Sequence, residues 1–273
     1  MGVIVVLRRL EMLAQTLGGE RLSSLARTPP PSHPTSYALG TGHDIVNTSP
    51  FLHVSFNIPG SPFPMILPMI GHMRSFARPF SDETDVLDLY LHGYVSSRFV
   101  NIARSSTATE EGLPVCVAAS HVDGLVMALT PNSHSYNYGS AVLFGHAALV
   151  EDASERLYAM QLITNGVVPG RWQGTRVPPN NAELSPTSIL KVTVTAGSAK
   201  IRSGPPSDDK NDKTDSHVVG TVWTGVVPVH LSFGEPVAGP YNAVDLPPSY
   251  LTEHISDSNN AARERAIEAA DKV

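Results

Sequence analysis

Leu113-Pro-Val-Cys-Val-Ala-Ala-Ser-His-Val-Asp-Gly-Leu-Val-Met-Ala-Leu-Thr130 reads as two apolar strands, 113–120 and 124–130. Between them, His121-Val122-Asp123-Gly124 supplies turn chemistry, because an Asp-Gly pair tolerates the backbone angles of a tight hairpin. The same grammar recurs on both sides. Upstream, strands 51–56 and 63–70 flank Pro59-Gly60-Ser61-Pro62. Pro64 and Pro68 in the second of these lack the N–H that a sheet ladder needs, so one side of that strand is expected to stay unpaired. Downstream come the long apolar strand 139–150 and further strands at 188–195 and 221–233.

Helices are few. Leu157, Met160, Ile163 and Val167 recur at helical spacing over 152–167 behind Asp152, a plausible N-cap. A short helix is expected over 96–104 and a polar one over the last 20 or so residues. An amphipathic helix is read over 3–26, then a proline-rich linker at Thr28–His33. The polar run 72–85 and the Gly/Pro/Asp/Lys-rich run 203–216 read as loops. Six or more strands without βαβ alternation define a mainly β protein with flanking helices, an antiparallel barrel or sandwich. The expected division is 1–33 as N-terminal helix and linker, 34–238 as the barrel domain, and 239–273 as a C-terminal extension.

Composition narrows the function. With 19 basic and 25 acidic residues the net charge is −6, which argues against nucleic acid as a partner. No apolar run reaches the ~18 residues needed to cross a bilayer, and a cytoplasmic protein without a membrane span is expected. The single cysteine, Cys116, excludes a disulfide framework within the chain and reads as a small core hydrophobe. No pair among the 11 histidines has a strong metal spacing, so no metal site is expected.

The chemistry concentrates in 89–104, Leu-Tyr-Leu-His-Gly-Tyr-Val-Ser-Ser-Arg-Phe-Val-Asn-Ile-Ala-Arg. A strand ends at His92-Gly93, and Ser96, Ser97 and Arg98 stand at a helix start. Free backbone N–H groups, two hydroxyls and a guanidinium together suit a phosphate. The plainer reading is a serine N-cap with a surface arginine beside it.

Several motifs occur in a fixed order between about 47 and 236. They are His53-Val-Ser-Phe56, Phe63-Pro-Met-Ile-Leu-Pro68, Leu89-Tyr-Leu-His-Gly93 with Ser97-Arg98, and His121-Val-Asp-Gly-Leu125. They continue with His134-Ser-Tyr-Asn-Tyr138, Val142-Leu-Phe-Gly145, Val168-Pro-Gly-Arg-Trp172, Ala199–Pro206 and Val222–Pro228. This set resembles the flavin-nucleotide-binding, nitroimidazole-resistance-like branch of the pyridoxamine-5′-phosphate-oxidase-like superfamily. The resemblance implies an antiparallel split β-barrel of the FMN-binding type, a homodimer with FMN at the subunit interface, and a small-molecule substrate or ligand. It places Met65, Ile66, Leu67 and Pro68 along the flavin ring edge through backbone groups. It places Leu91, His92, Ser96, Ser97 and Arg98 around the phosphate, with Ser140 and Trp223 approaching from other parts of the site. Lys200 is a second phosphate contact or a structural ion-pair partner. The branch usually carries Arg after Asn-Tyr, where this chain has Gly139.

An FMN-dependent oxidoreductase follows from the resemblance, with a non-catalytic flavin, deazaflavin or haem-binding module as the alternative. A barrel without ligand that serves as an interaction protein is a third reading. The arginine-containing substrate motif of pyridoxamine-phosphate oxidase is missing after Trp223, where Thr-Gly-Val-Val-Pro-Val-His stands, so that enzyme's own activity is not expected. No catalytic residue is assigned.

Overall fold

The computed structural model describes residues 3–6, 36–82, 84–106 and 112–272. Its centre is a nine-stranded antiparallel sheet with the order β3-β2-β6-β7-β8-β5-β4. These strands are β2 (Leu52–Phe56), β3 (Met65–Met69), β4 (Gly71–Arg74), β5 (Asp88–Tyr94), β6 (Leu113–Met127), β7 (Ser135–Leu149) and β8 (Thr187–Arg202). Two short strands sit off this path: β1 (Val3–Val6) pairs with β8, and β9 (Gly225–Pro228) pairs with β6.

The ends of the sheet meet because β3 and β4 are one chain segment bent at Ile70. β3 pairs with β2, and β4, starting one residue after Ile70, pairs with β5. The N–H of His92 donates to the carbonyl of Ile70 at 3.0 Å, which ties the bend to β5. The sheet therefore closes into a split barrel, as the resemblance implied. Gly71 makes the corner possible: a Cβ there would lie 2.6 Å from Leu91 Cδ2 and 2.7 Å from the Tyr90 carbonyl oxygen.

Alternation along the strands fills the interior. Leu52, Val54 and Phe56 of β2 point inward with Leu89 and Leu91 of β5, Val115 and Val117 of β6, Leu143 of β7 and Val192 of β8. Helix α2 (Arg98–Ser106) covers one mouth with Phe99, whose ring stacks on Phe56 at a centroid distance of 4.6 Å. Helix α1 (Ser36–Thr48), which the sequence did not announce, buries Ile45 and Val46 in the same core. Its Gly40-Thr41-Gly42 run has low helix propensity, and packing overrides it. Helix α3 (Ala153–Val167) is capped by Asp152, whose carboxylate accepts from the Glu155 N–H at 2.7 Å. Glu155 in turn accepts from the buried Tyr90 hydroxyl at 2.7 Å and from Lys191 Nζ at 2.9 Å, fixing α3 to β5 and β8.

Several expectations are corrected. Residues 113–127 form one strand, not a hairpin. Asp123 is the extra residue of a bulge between Val122 and Gly124, and β7 runs alongside β6 on both sides of it. The loop 72–85 begins as β4. After the short helix α4 (Asn181–Leu184), residues 203–216 hold all of α5 (Lys210–Thr214) and the start of α6 (Ser216–Thr221). Asp209 and Asp215 cap α5 and α6 by accepting backbone N–H groups, so the acidic run stops helices from fraying instead of forming a loop. In the stretch 221–233 only Gly225–Pro228 is strand. Val3–Val6 is strand, not helix; the rest of the helix read over 3–26 and the linker Thr28–His33 lie outside the described residues. Cys116 is half-buried on the outer face of β6, opposite Ser55 and Phe144, and burial pushes its thiol up from the usual range. No helix among the described residues is long and apolar enough to cross a membrane.

His72 of β4 lies against Gly166 of α3. Burial, reinforced by the nearby Arg74, lowers its pKa from 6.5 to about 4. The unfolded chain therefore takes up this proton first as pH falls, and stability is lost below about pH 6.5. Between pH 7 and pH 4.5 His72 accounts for a loss of ~2.5 kcal/mol. Urea unfolding of His72→Gln at those two pH values is expected to show an acid loss smaller by that amount; an unchanged loss would assign the acid sensitivity to other groups.

Candidate functional site

β3 pairs with β2 on one side only, as Pro64 and Pro68 led one to expect. Met65, Leu67 and Met69 turn toward the core, while Ile66 and Pro68 are exposed on the outer face. The other edge of this strand therefore offers backbone groups to a ligand. The His92–Ile70 bond brings the end of β5 to this edge, and the chain then turns into α2.

Ser97 is the N-cap of α2: its Oγ accepts from the Val100 N–H at 3.2 Å, and its carbonyl accepts from Asn101 N at 3.0 Å. Ser97 thus performs the capping role of the plainer reading. Ser96 and Arg98 are exposed and line a cavity of about 440 Å³ with Pro59, Asn101, Ile102 and Ser105. Asn101 Nδ2 donates to the Ser96 carbonyl at 3.3 Å, which fixes the turn. No hydrogen bond or ion pair to a described residue engages the Arg98 guanidinium. Leu91 is fully buried among core side chains, so it shapes the wall behind the site. Replacing Ser97 by alanine removes the cap and is expected to cost about 1 kcal/mol in urea unfolding; a change near zero would show that tertiary packing alone holds the first turn of α2.

Ser140 and Lys200 lie elsewhere, opposite one another on β7 and β8, with β2 and β6 between them and β3. The Ser140 hydroxyl donates to the Lys200 carbonyl at 3.4 Å, and Lys200 Nζ stands 5.6 Å from the Tyr138 ring centroid. Lys200 has this aromatic partner where an ion pair was one of the two expectations. Trp223, 67% exposed, precedes β9. One chain thus presents the predicted residues in separate places: β3 with His92, Ser96 and Arg98; Ser140 with Lys200 on the outer face; and Trp223 ahead of β9, beside the end of β6 and away from Ser140.

The sequence reading missed a third feature. A cavity of about 930 Å³ lies between α1, the β6 bulge, the end of β8 and the C-terminal helix α7 (Ser249–Asp271). On its wall the buried Asp123 carboxylate pairs with His121 Nε2 at 3.2 Å and Arg265 Nε at 3.0 Å. Burial raises the Asp123 pKa, but the hydrogen bonds from His121 and Arg265 and their charges outweigh it and hold the carboxyl below its ordinary range. The His121 ring occupies the space where residue 139 would carry a side chain: a Cβ on Gly139 would come 2.6 Å from Cε1 and 2.7 Å from Nε2. Gly139 is therefore a seat for His121. Asn137, fully buried, donates to the Ala269 carbonyl at 2.9 Å and so locks α7 onto the barrel. Arg265 lies 142 residues beyond Asp123, a separation at which spacing carries no signal.

A closed antiparallel barrel whose seam is one bent strand, with a helix start beside that strand's open edge, defines a split-barrel protein. The chain belongs to the pyridoxamine 5′-phosphate oxidase family, whose model matches residues 40–201. Among solved structures it is similar to the flavocytochrome Anf3 from Azotobacter vinelandii, at 26% identity and a TM-score of 0.64, over 80% of this chain and 90% of that one. It is likewise similar to the FAD and haem binding protein from Mycobacterium smegmatis, at 26% identity and a TM-score of 0.64, over 78% of this chain and 93% of that one. No curated protein sequence matches the chain.

Proposed function

We infer that the chain binds a flavin nucleotide at the interface of a homodimer and uses it as a redox cofactor toward a small organic substrate. The observation that carries this reading is the open edge of β3 beside Arg98, which pairs with no described residue, at the start of α2. Backbone donors and acceptors along Met65–Pro68 suit the polar rim of an isoalloxazine ring. Arg98 and the Ser96 turn suit a phosphate. Ser140, Lys200 and Trp223, distant from that cradle within one chain, would come from the second copy, which is why two copies are needed to enclose one flavin. When bound, the flavin supplies hydride acceptance, and the protein supplies position and shape.

FMN is the first reading, its single terminal phosphate matched to the one arginine of the cradle. FAD is the second reading, favoured by the one of the two relatives above that is described as an FAD and haem binding protein. Absorbance spectra of the purified protein after gel filtration with FMN, FAD or no addition test both. Oxidised-flavin bands that co-elute with the protein are expected, and the nucleotide retained decides between the two. A colourless protein that takes up neither at micromolar concentration would end the flavin reading. Oxidation of NADH or NADPH by the loaded protein then tests turnover.

A further inference from the structure

Between β9 and α7 the chain runs through residues 229–248 without a helix or strand. Its apolar side chains are left in water: Val237 is 93% exposed, Tyr241 97% and Leu246 77%, with Leu231, Phe233 and Val244 also exposed. The segment is tied at its root by Val229 N–H to the Asp123 carbonyl, at 3.0 Å, and by Asn259, which exchanges hydrogen bonds with the Phe233 backbone. Beyond Phe233, the backbone bonds recorded for it are local, such as Asn242 N–H to the Gly239 carbonyl. It is nevertheless no free tail, because α7 returns to the barrel through Arg265 and Asn137.

Its composition is that of an interface. Glu235 and Asp245 are the only acidic residues in it and there is no lysine or arginine, so a chain of net charge −6 carries little self-repulsion here. Pro236, Pro240, Pro247 and Pro248 restrict its backbone before any contact forms, which lowers the entropy lost on docking. The six apolar side chains together leave on the order of 800 Å² exposed, about what each partner contributes to a standard stable interface. The same chain leaves a second apolar surface uncovered, on and beside β3 and β7, where Phe63 is 76% exposed and Ile66 and Phe144 stand outward.

We propose that residues 229–248 are a strap that lies across a second copy of this chain and covers its exposed sheet face, each copy clasping the other. This rests on the homodimer reading above and adds to it what holds the two copies together. In a two-fold pair the strap-to-sheet contact forms twice, so both uncovered surfaces are satisfied at once.

Sedimentation velocity over a range of concentrations compares the wild type with a Val237→Asp/Tyr241→Asp/Leu246→Asp triple variant. These side chains are exposed in the single chain, so the variant should keep the wild-type far-ultraviolet circular dichroism. The expected result is a dimeric wild type and a dissociation constant raised at least 100-fold in the variant. A variant that dimerises as tightly as the wild type overturns the strap and leaves the homodimer standing; a wild type that is monomeric throughout overturns both. Hydrogen–deuterium exchange on the wild type needs no substitution. Amides of 229–248 should exchange at least tenfold more slowly in the dimer than after dilution to monomer, and equal rates would overturn the strap.

Discussion

Gly71→Val is expected to destabilise the folded barrel severely. The Cβ of any larger residue at this corner would sit 2.7 Å from the Tyr90 carbonyl oxygen, and that oxygen belongs to the backbone of β5. It can move only if β5 moves. β5 is paired on its other side with β8 through six residue pairs, from Leu89↔Val192 to Tyr94↔Thr187. The Leu91 side chain, at 2.6 Å, could rotate in isolation, but it is fully buried in a packed core. Both relief routes therefore open the seam where the bent strand closes the sheet. A loss of more than 3 kcal/mol is expected, a large part of the 5–15 kcal/mol of a typical domain. Thermal unfolding followed by circular dichroism measures it, with Gly71→Ala as the milder step. A valine variant that melts within a few degrees of the wild type would mean that the seam is not as close as described.

Arg98→Ala is expected to weaken flavin nucleotide binding by about 10- to 100-fold, since a charge-assisted contact to a phosphate is worth roughly 1.5–3 kcal/mol. Stability should hardly change, because the guanidinium engages no described residue and the cap of α2 belongs to Ser97. Fluorescence titration with FMN and FAD measures the affinity, and urea unfolding checks stability. Arg98→Lys should recover part of the loss as a point charge without the planar fork. Unchanged affinity for both nucleotides in Arg98→Ala would place the phosphate elsewhere.

The sheet could be read from the sequence because alternation and turn residues are local. The hairpin of β2 and β3, the cap of α3 and the unpaired side of β3 all follow from residues close in the chain. What misled was also local chemistry, overruled from far away. Asp123-Gly124 has the composition of a turn, yet Asp123 is held by Arg265 on α7, and β7 continues to pair past it. Val-His-Leu-Ser-Phe at 229–233 alternates like a strand, but no strand among the described residues pairs with it. For the site, the residues around 92–98 were legible as a group, because they follow one another at a strand end. That Ser140, Lys200 and Trp223 stand apart from them depends on strand order, which motif order does not encode.

His121 and Gly139 face one another across the β6–β7 ladder, and the ring of one fills the side-chain space of the other. The two positions are therefore coupled in space, and a side chain at one is felt by the other. An arginine at 139 could enter only if the His121 ring swung out of that space, and with it away from the Asp123 carboxylate. Family members with a long side chain at the position of 139 should carry something other than an inward-lying imidazole at that of 121. In this chain, Gly139→Arg should cost less stability when a small residue also replaces His121 than when it stands alone.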